Sequence, residues 1–433
     1  RVAAAVDCGP GDVVLTNHPA FGGSHLPDLT VITPVHDDHG TLLGWTASRA
    51  HHAELGGARP GSMPPGATSL LEEGVVLPPM KIIEAGRSCF DALERRLTAP
   101  PWPTRALEDN LADVQAAVAA NHRGATALRA VAAMTGASVV IDSMNQLQDR
   151  AAALARQLVQ GMPDGRFDAI EHMDDGSVLA VGIDVHGDRM RVDFTGTAAV
   201  HPGNLNATDA IVRSVVLYVL RLLVPRRVPL NEGLLAPVEL VLPECMLSPR
   251  WAADASDCPA VVGGNVETSQ RLVDLLLKAL DRSAAGQGTM NNTLFGTDEF
   301  GYYETLGGGH GAIEGADGAS GVHCHMSNTR ITDPELFEHR FPVRLHRFGL
   351  RTGSGGAGRW SGGDGLERVI EFLQPVSLSM LTQHRVDGPF GMHGGEPGAP
   401  GEQFLTRPDG TVDHLSSSDA RELEAGDRLT VRT

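Results

Sequence analysis

The sequence predicts a mixed α/β fold of the α+β kind, rich in β-structure, with one alanine-rich helical segment. Three observations support this prediction: β-branched runs near the start of the chain, an apolar stripe at helical spacing after residue 105, and a return to short strands and glycine turns beyond Gly286. Strands and helices do not alternate regularly, so the fold should be neither a Rossmann fold nor a TIM barrel.

The N-terminal region, residues 1–104, is predicted to consist of strands and loops. Two β-branched runs, 29–35 and 41–47, are separated by the turn-forming residues Asp37-Asp-His-Gly40. This arrangement is typical of a β-hairpin.

Residues 105–162 form the predicted helical segment. Its stripe comprises Leu107, Leu111, Val114 and Val118, and Gly136 is expected to separate two helices. Residues 163–433 should form a mixed, β-rich region. A second hairpin is predicted there at 181–194, with helices at 210–223 and 269–280.

The composition argues against several classes of function. The chain has 433 residues, with 35 Lys and Arg against 53 Asp and Glu, which gives a net charge of −18. Such a chain is poorly suited to neutralise phosphates, so we expect no nucleic-acid partner. No apolar run is long enough for a membrane span, and we expect no membrane partner. Five scattered cysteines favour a reducing compartment, and we expect a cytoplasmic protein.

Histidines are concentrated at the start of the chain. Antiparallel pairing should bring His25 and Asp28, at the entry to the first strand, close to His51 or His52 at the exit from the second. Two imidazoles and a carboxylate are a common ligand set for a divalent metal such as Zn, Mn or Fe. We therefore predict a metal site here. The alternative is that these histidines are loop residues bonded to backbone or solvent.

Polar residues beside glycines form a second group of candidates. Four of them are predicted to bind substrate, because amide and carboxylate groups in a pocket can form hydrogen bonds with a small molecule. They are Asn265, Glu267, Asn291 and Asn292. Equally, such residues cap turns and helices, and Thr268 or Ser269 is a candidate N-cap for the helix that follows. No catalytic residue is predicted.

Three further features bear on chemistry. The segment Gly307-Gly-Gly-His-Gly311 either presents backbone N–H groups to an anion or forms tight turns. His323 and His325, one strand period apart, form either a second metal or acid/base site or a satisfied buried pair. No G-x-x-x-x-G-K-[ST] loop is present, so we find no case for nucleotide binding by this chain.

Longer motifs extend over nearly the whole chain. They include Gly22-Gly-Ser-His-Leu-Pro-Asp28, Ser48-Arg-Ala-His-His52, Val262-Gly-Gly-Asn-Val-Glu-Thr-Ser-Gln270, Gln287-Gly-Thr-Met-Asn-Asn292 and Ser354-Gly-Gly-Ala-Gly-Arg-Trp-Ser-Gly-Gly-Asp-Gly365. In this order the motifs resemble the hydantoinase B/oxoprolinase family, which covers the B-type subunit of ATP-dependent hydantoinases and the matching region of 5-oxoprolinases. The chain is also similar to a subunit of acetone and acetophenone carboxylases.

The resemblance implies a division of labour between two parts. A hydantoinase A/oxoprolinase-type partner binds ATP with Mg and phosphorylates a carbonyl oxygen, whereas the B-type chain carries the divalent metal and shapes the site for a small cyclic amide. His25 and His51 are then the first-choice ligands, with Asp28 and His52 completing or supporting the set. The expected reaction is the opening of a hydantoin, 5-oxoproline or another lactam ring. The alternatives are a subunit of an ATP-dependent ketone carboxylase and a truncated, non-catalytic scaffold.

One departure from the family pattern concerns the start of the chain. The first residue is Arg1 and not Met, so we expect a fragment or a processed product. Family members usually begin earlier, with a segment that supplies a carboxylate ligand. We therefore expect either an incomplete site or a ligand from another chain.

Overall fold

The N-terminal sheet contains the predicted hairpin. The structure, a computed structural model, describes residues 1–433. Five antiparallel strands lie in the order β3-β2-β1-β4-β5. They are β1 (Val13–Thr16), β2 (Asp28–His36), β3 (Leu42–His51), β4 (Met80–Glu84) and β5 (Arg87–Ser88).

The hairpin turn explains the register of β2 and β3. The Asp37 carboxylate accepts the backbone N–H groups of His39 and Thr41 at 2.9 and 2.7 Å, and Gly40 adopts a positive φ of 82°. The hairpin prediction is confirmed, and both strands extend beyond the predicted runs at the end opposite the turn.

Eight helices accompany the sheets. They are α1 (Val2–Ala5), α2 (Leu70–Glu73), α3 (Phe90–Leu97), α4 (Leu107–Thr135), α5 (Ala137–Gln160), α6 (Asp209–Leu223), α7 (Ser269–Ala279) and α8 (Pro334–Arg340), with 3-10 turns at Pro19–Phe21, Glu232–Leu235 and Ala255–Asp257. As predicted, Gly136 separates α4 from α5, which bend by 112° at that point. No single helix is long and apolar enough to cross a membrane, and only this bent pair reaches the required length and composition.

The middle sheet contains the second predicted hairpin. Its strands β6 (Gly165–His172), β7 (Val178–His186), β8 (Arg189–Asp193) and β9 (Val238–Val241) lie in chain order. Only the β8–β9 pair is parallel. The apolar faces of α6 and α7 pack against this sheet and form the largest hydrophobic core.

Two C-terminal sheets share a second core, which includes Phe295, Phe372 and Leu429. Their strands are β10 (Asn292–Gly296), β11 (Gly301–Glu304), β12 (Val343–Arg351), β13 (Gly365–Phe372), β14 (Val376–Leu381), β15 (Glu402–Thr406), β16 (Val412–His414), β17 (Ser418–Leu423) and β18 (Arg428–Arg432). One sheet has the order β11-β10-β14-β17 and the other β12-β13-β18-β15-β16. All four sheets are open, which confirms the predicted mixed fold without a barrel. The division of the chain into three regions at residues 104 and 162 stays a prediction.

The start of α7 differs from the prediction. Thr268 occupies the N-cap position, but neither its side chain nor that of Ser269 caps the helix, because a π-helical turn, Gly264–Thr268, runs directly into it. The Thr268 hydroxyl instead donates to the Leu205 carbonyl at 2.7 Å. Such π-turns concentrate at functional sites, and this one carries Asn265 and Glu267.

Candidate metal centre

The open end of the β2–β3 hairpin brings three candidate ligands together. Asp28 and His51 are direct partners in the strand register. His25 lies in the loop that enters β2, where its carbonyl accepts the Asp28 N–H at 3.2 Å. The His52 N–H donates to the Pro27 carbonyl at 2.8 Å and fastens the exit from β3 to this loop.

Both imidazole rings lie close to the same oxygen of the Asp28 carboxylate. Asp28 Oδ1 lies 3.3 Å from His25 Nε2 and 3.3 Å from His51 Nδ1. One ligand atom from each residue lies within 4.8 Å of the others, a spacing that suits a single metal ion. Asp28 Oδ2 accepts a hydrogen bond from the Ser24 hydroxyl, which orients the carboxylate.

The electrostatics suit metal ligands. Burial by itself would raise the pKa of Asp28, but the His25 and His51 imidazoles hold this pKa well below its usual value. Desolvation lowers the pKa of His51, although its hydrogen bond to Asp28 opposes the shift. At neutral pH these shifts favour an ionised Asp28 and a neutral His51, the protonation states that bind metal.

His52 lies outside this group, so the structure corrects its inclusion among the candidate ligands. Successive residues of a strand face opposite sides, and His52 therefore points away from Asp28. Its Nδ1 lies 2.7 Å from the Oδ1 of Asn110 on α4, and the side chain is buried. His52 thus joins the hairpin to a helix.

Two residues from distant parts of the chain complete the wall around the three ligands. Asn265, on the π-turn, places Nδ2 3.1 Å from His25 Nε2. The ring of Tyr303, on β11, lies against His51 with a centroid separation of 4.9 Å. Tyr303 is absent from the predicted site. The alternation of strand β11 is the signal that could have identified it. Tyr302 is buried on one face of the strand, and Tyr303 is half-buried on the other.

Glu267 and Asn292 stand behind Tyr303. The Tyr303 hydroxyl donates to Asn292 Oδ1 at 2.8 Å, and Asn292 Nδ2 donates to Glu267 Oε1 at 2.7 Å. Both side chains are fully buried. Burial raises the pKa of Glu267 to about 8, which keeps most of it protonated at neutral pH. In this geometry the two residues support the wall, and direct contact with a substrate stays a prediction.

Asn291 faces away from the candidate ligands. Its Nδ2 donates to Gln287 Oε1 at 3.0 Å, and its Oδ1 accepts from Arg385 at 2.7 Å. Neighbouring residues Asn291 and Asn292 therefore belong to different surroundings.

His323 and His325 do not form a joint site. The segment is irregular rather than a strand, and His325 has a positive φ of 55°. His323 Nδ1 bonds to the Ser327 hydroxyl at 2.8 Å, whereas His325 Nε2 lies 3.3 Å from Asp274. Each ring has its own polar partner.

Comparison with known proteins places this chain in a family. The profile of the family described as "Hydantoinase B/oxoprolinase" matches residues 2–433. The chain is 44% identical over 448 aligned positions to 5-oxoprolinase 1 of Arabidopsis thaliana, covering 98% of this chain and 35% of that protein. It is 38% identical over 458 positions to 5-oxoprolinase of Saccharomyces cerevisiae, with the same coverage of 98% and 35%. The chain belongs to the hydantoinase B/oxoprolinase family, and it spans about a third of the length of these relatives.

Two solved structures share the fold. The ATP-dependent caprolactamase from Pseudomonas jessenii superposes with a TM-score of 0.84 at 23% identity, covering 99% of this chain and 78% of that one. Nucleotide-free acetone carboxylase gives a TM-score of 0.87 at 16% identity, covering 99% and 65%. At these identities the similarity establishes the architecture.

Proposed function

We propose that this chain is the metal-bearing, B-type part of an ATP-dependent cyclic amide hydrolase that opens a hydantoin or lactam ring such as 5-oxoproline. The observation that carries the proposal is the cluster of His25, Asp28 and His51 in a chain 44% identical to a protein named 5-oxoprolinase 1.

The ligand set supports a divalent cation. His25, Asp28 and His51 would hold it, and their nitrogen and oxygen donors suit Zn, Mn or Fe. Three protein ligands leave positions open for a small molecule, as catalytic sites require. When bound, such a cation supplies Lewis acidity to a carbonyl group or to water.

The chain's own residues position the reacting groups. Asp28 orients both imidazoles through one oxygen, and Tyr303 restricts the His51 ring from the other side. Asn265 places an amide donor beside His25, within reach of a ligand that enters the centre. His51 remains about one-third exposed, so the centre is accessible from its side.

ATP binding is assigned to an A-type partner subunit or domain. The chain has no phosphate-binding loop of the G-x-x-x-x-G-K-[ST] type. An unstrained cyclic amide is stabilised by resonance. Transfer of the terminal phosphoryl group of ATP to the amide oxygen makes that oxygen a leaving group. ADP leaves after this transfer. One water then adds to the carbonyl carbon and the ring C–N bond breaks, which gives an amine and an acyl phosphate. A second water cleaves the acyl phosphate to the carboxylate and phosphate. The five free cysteines are compatible with a cytoplasmic location.

The test is a reconstitution with the A-type protein encoded nearest to this chain. Hydantoin, 5-oxoproline and a ketone with bicarbonate are each supplied with ATP, and phosphate and organic product are measured. We expect phosphate release together with ring opening for a cyclic amide, without any need for bicarbonate. Bicarbonate-dependent consumption of the ketone would instead assign the carboxylase reaction.

Matched variants separate catalysis from assembly. His51→Ala should abolish ring opening, whereas His39→Ala, in the exposed turn of the same hairpin, should retain it. Full activity of His51→Ala, or ring opening without ATP and partner, would contradict the proposal.

A further inference from the structure

A cavity of about 660 Å³ lies in the C-terminal half of the chain. Its walls come from four loops, at residues 281–291, 309–314, 354–365 and 384–401, which are rich in glycine. We call it the glycine-walled cavity. None of His25, Asp28 and His51 lines it, so it is distinct from the candidate metal centre.

Arg385 lines this cavity without a carboxylate bound to its guanidinium group. Its three side-chain hydrogen bonds reach neutral oxygens, on Gln403 at 3.2 Å, on the Gln383 carbonyl at 2.8 Å and on Asn291 at 2.7 Å. A guanidinium group has five N–H donors, so two remain. Burial lowers the pKa of Arg385 to about 10, and the group still carries its charge at neutral pH.

Gln287 adds a second unused donor to the same wall. Its side chain is 5% exposed, and its Nε2 has no hydrogen-bond partner. Its Oε1 accepts from Asn291, the residue that also bonds to Arg385. Asn291 therefore holds both donors beside each other. A buried donor without an acceptor is unfavourable, and a ligand oxygen would relieve this.

The layer behind the cavity wall contains charges of both signs. Arg271 and Lys278 share one carboxylate, Glu171, and Asp174 accepts the backbone N–H of Arg385 at 2.8 Å. Arg271 donates to His384, and Lys278 Nζ lies 4.5 Å from the centre of the Phe390 ring. His384 and Phe390 both line the cavity.

The acidic residues that line the cavity lie in its exposed part. Its acidic lining residues are Asp281, Glu314 and Glu396, and all three are exposed. Asp281 is also paired with His393 at 2.8 Å. Among the acidic residues, lysines and arginines of the lining, Arg385 is the one shielded from solvent, and its positive charge favours an anion at this point in a chain whose net charge is −18.

We propose that the glycine-walled cavity binds a small organic anion, whose carboxylate or phosphate oxygens bond to Arg385 and Gln287. Phe390, Ile313 and Trp360 offer apolar surface to the rest of the molecule. The forked guanidinium geometry suits both kinds of oxyanion. This site does not depend on the metal chemistry proposed above.

The test measures binding to the purified, metal-free chain by calorimetry with three probes: benzoate, its neutral counterpart benzamide, and inorganic phosphate. We expect benzoate to bind at least about tenfold more tightly than benzamide, because only the anion pairs with Arg385. Phosphate binding without benzoate binding would also support the site and assign a phosphate ligand. Failure of both anions to bind, or equal binding of benzoate and benzamide, would overturn the proposal.

Variants test which residues of the glycine-walled cavity bind the anion. Gln287→Glu keeps the oxygen that accepts from Asn291 but puts a negative charge beside Arg385. This variant should weaken anion binding at least about tenfold. Circular dichroism should show that the chain stays folded. Arg385→Lys should also weaken anion binding, because the fork is lost. Arg344→Gln is the matched control, since Arg344 lies on β12 outside the cavity lining with its side chain 59% exposed, and it should change binding less than about twofold. Unchanged binding in Gln287→Glu would contradict the assignment.

Discussion

The candidate metal centre and the glycine-walled cavity surround a partly buried charge in opposite ways. Asp28 lies between two imidazoles, 3.3 Å from each, so its negative charge has neighbours that stabilise it. Arg385 has only neutral acceptors, and two of its N–H donors remain unused. The first arrangement suits a cation shared among ligands, whereas the second leaves N–H donors for the anion proposed above.

The two regions meet at consecutive residues. Asn291 bonds to Arg385 and Gln287 in the cavity wall, and Asn292 bonds to Tyr303, whose ring contacts His51. Three contacts and the peptide link between Asn291 and Asn292 thus connect Arg385 to His51. Variants that act on only one region test whether the two are independent.

The largest expected effect separates the two consecutive histidines. His51→Ala removes a ligand and should weaken metal binding at least ~100-fold, since even outer-shell changes cost roughly 10–100-fold. His52→Ala should keep the metal, because His52 bonds to Asn110 and not to Asp28. Metal per purified chain is measured by mass spectrometry after dialysis against Zn and Mn. Equal loss in both variants would remove the distinction between the two side chains.

The next effect concerns Glu73, a buried carboxylate that, unlike Asp28, has no imidazole beside it. Its Oε1 accepts the N–H groups of Val261 and Val262, both at 2.8 Å, and burial raises its pKa from 4.5 to about 8. The folded chain therefore keeps a proton that the unfolded chain releases above pH 4.5. The free energy of unfolding should fall as the pH rises from about 4.5 to about 8, by at most ~1.4 kcal/mol per pH unit from this group.

Glu73→Gln removes this contribution. Relative to the wild type, the variant should gain up to about 3.5 kcal/mol in unfolding free energy between about pH 5 and pH 8, because the folded and unfolded pKa values differ over nearly this whole interval. Urea unfolding at both pH values measures the change. An identical pH profile for the two proteins would show that Glu73 ionises normally.

The smallest effect tests the connection between the regions. Tyr303→Phe keeps the ring against His51 but removes the hydrogen bond to Asn292, which should cost about 1 kcal/mol of stability. We expect a few-fold weaker metal binding and unchanged benzoate binding. Thermal unfolding and the two binding assays provide the measurements. A loss of anion binding in this variant would show that the wall transmits changes from one side to the other.

Part of the candidate site follows from local pattern. Strand alternation and the Asp37–Gly40 turn place Asp28 opposite His51, so the ligand group could be predicted from about thirty consecutive residues. The sequence pattern left His51 and His52 as alternative partners of Asp28, because a shift of one residue in the pairing of the two hairpin strands exchanges the residue that faces the site. The register found in the hairpin turns His52 toward α4.

The surroundings of the ligands could not be predicted in this way. Asn265 lies 240 positions from His25 in sequence, and its contact depends on how the π-turn packs against the N-terminal sheet. Irregular backbone likewise decided that His323 and His325 face different partners. Periodicity describes helices and strands, and it carries no information about where loops fold back.

By itself, the sequence determined the family, the mixed class of fold, both hairpins and the main helices, because each depends on residue patterns within a short stretch of chain. Only the tertiary structure decided which histidine faces Asp28, which residues enclose the centre, and that Arg385 and Gln287 share a wall. Those features require segments far apart in sequence to pack together, and packing depends on the shape of the whole core.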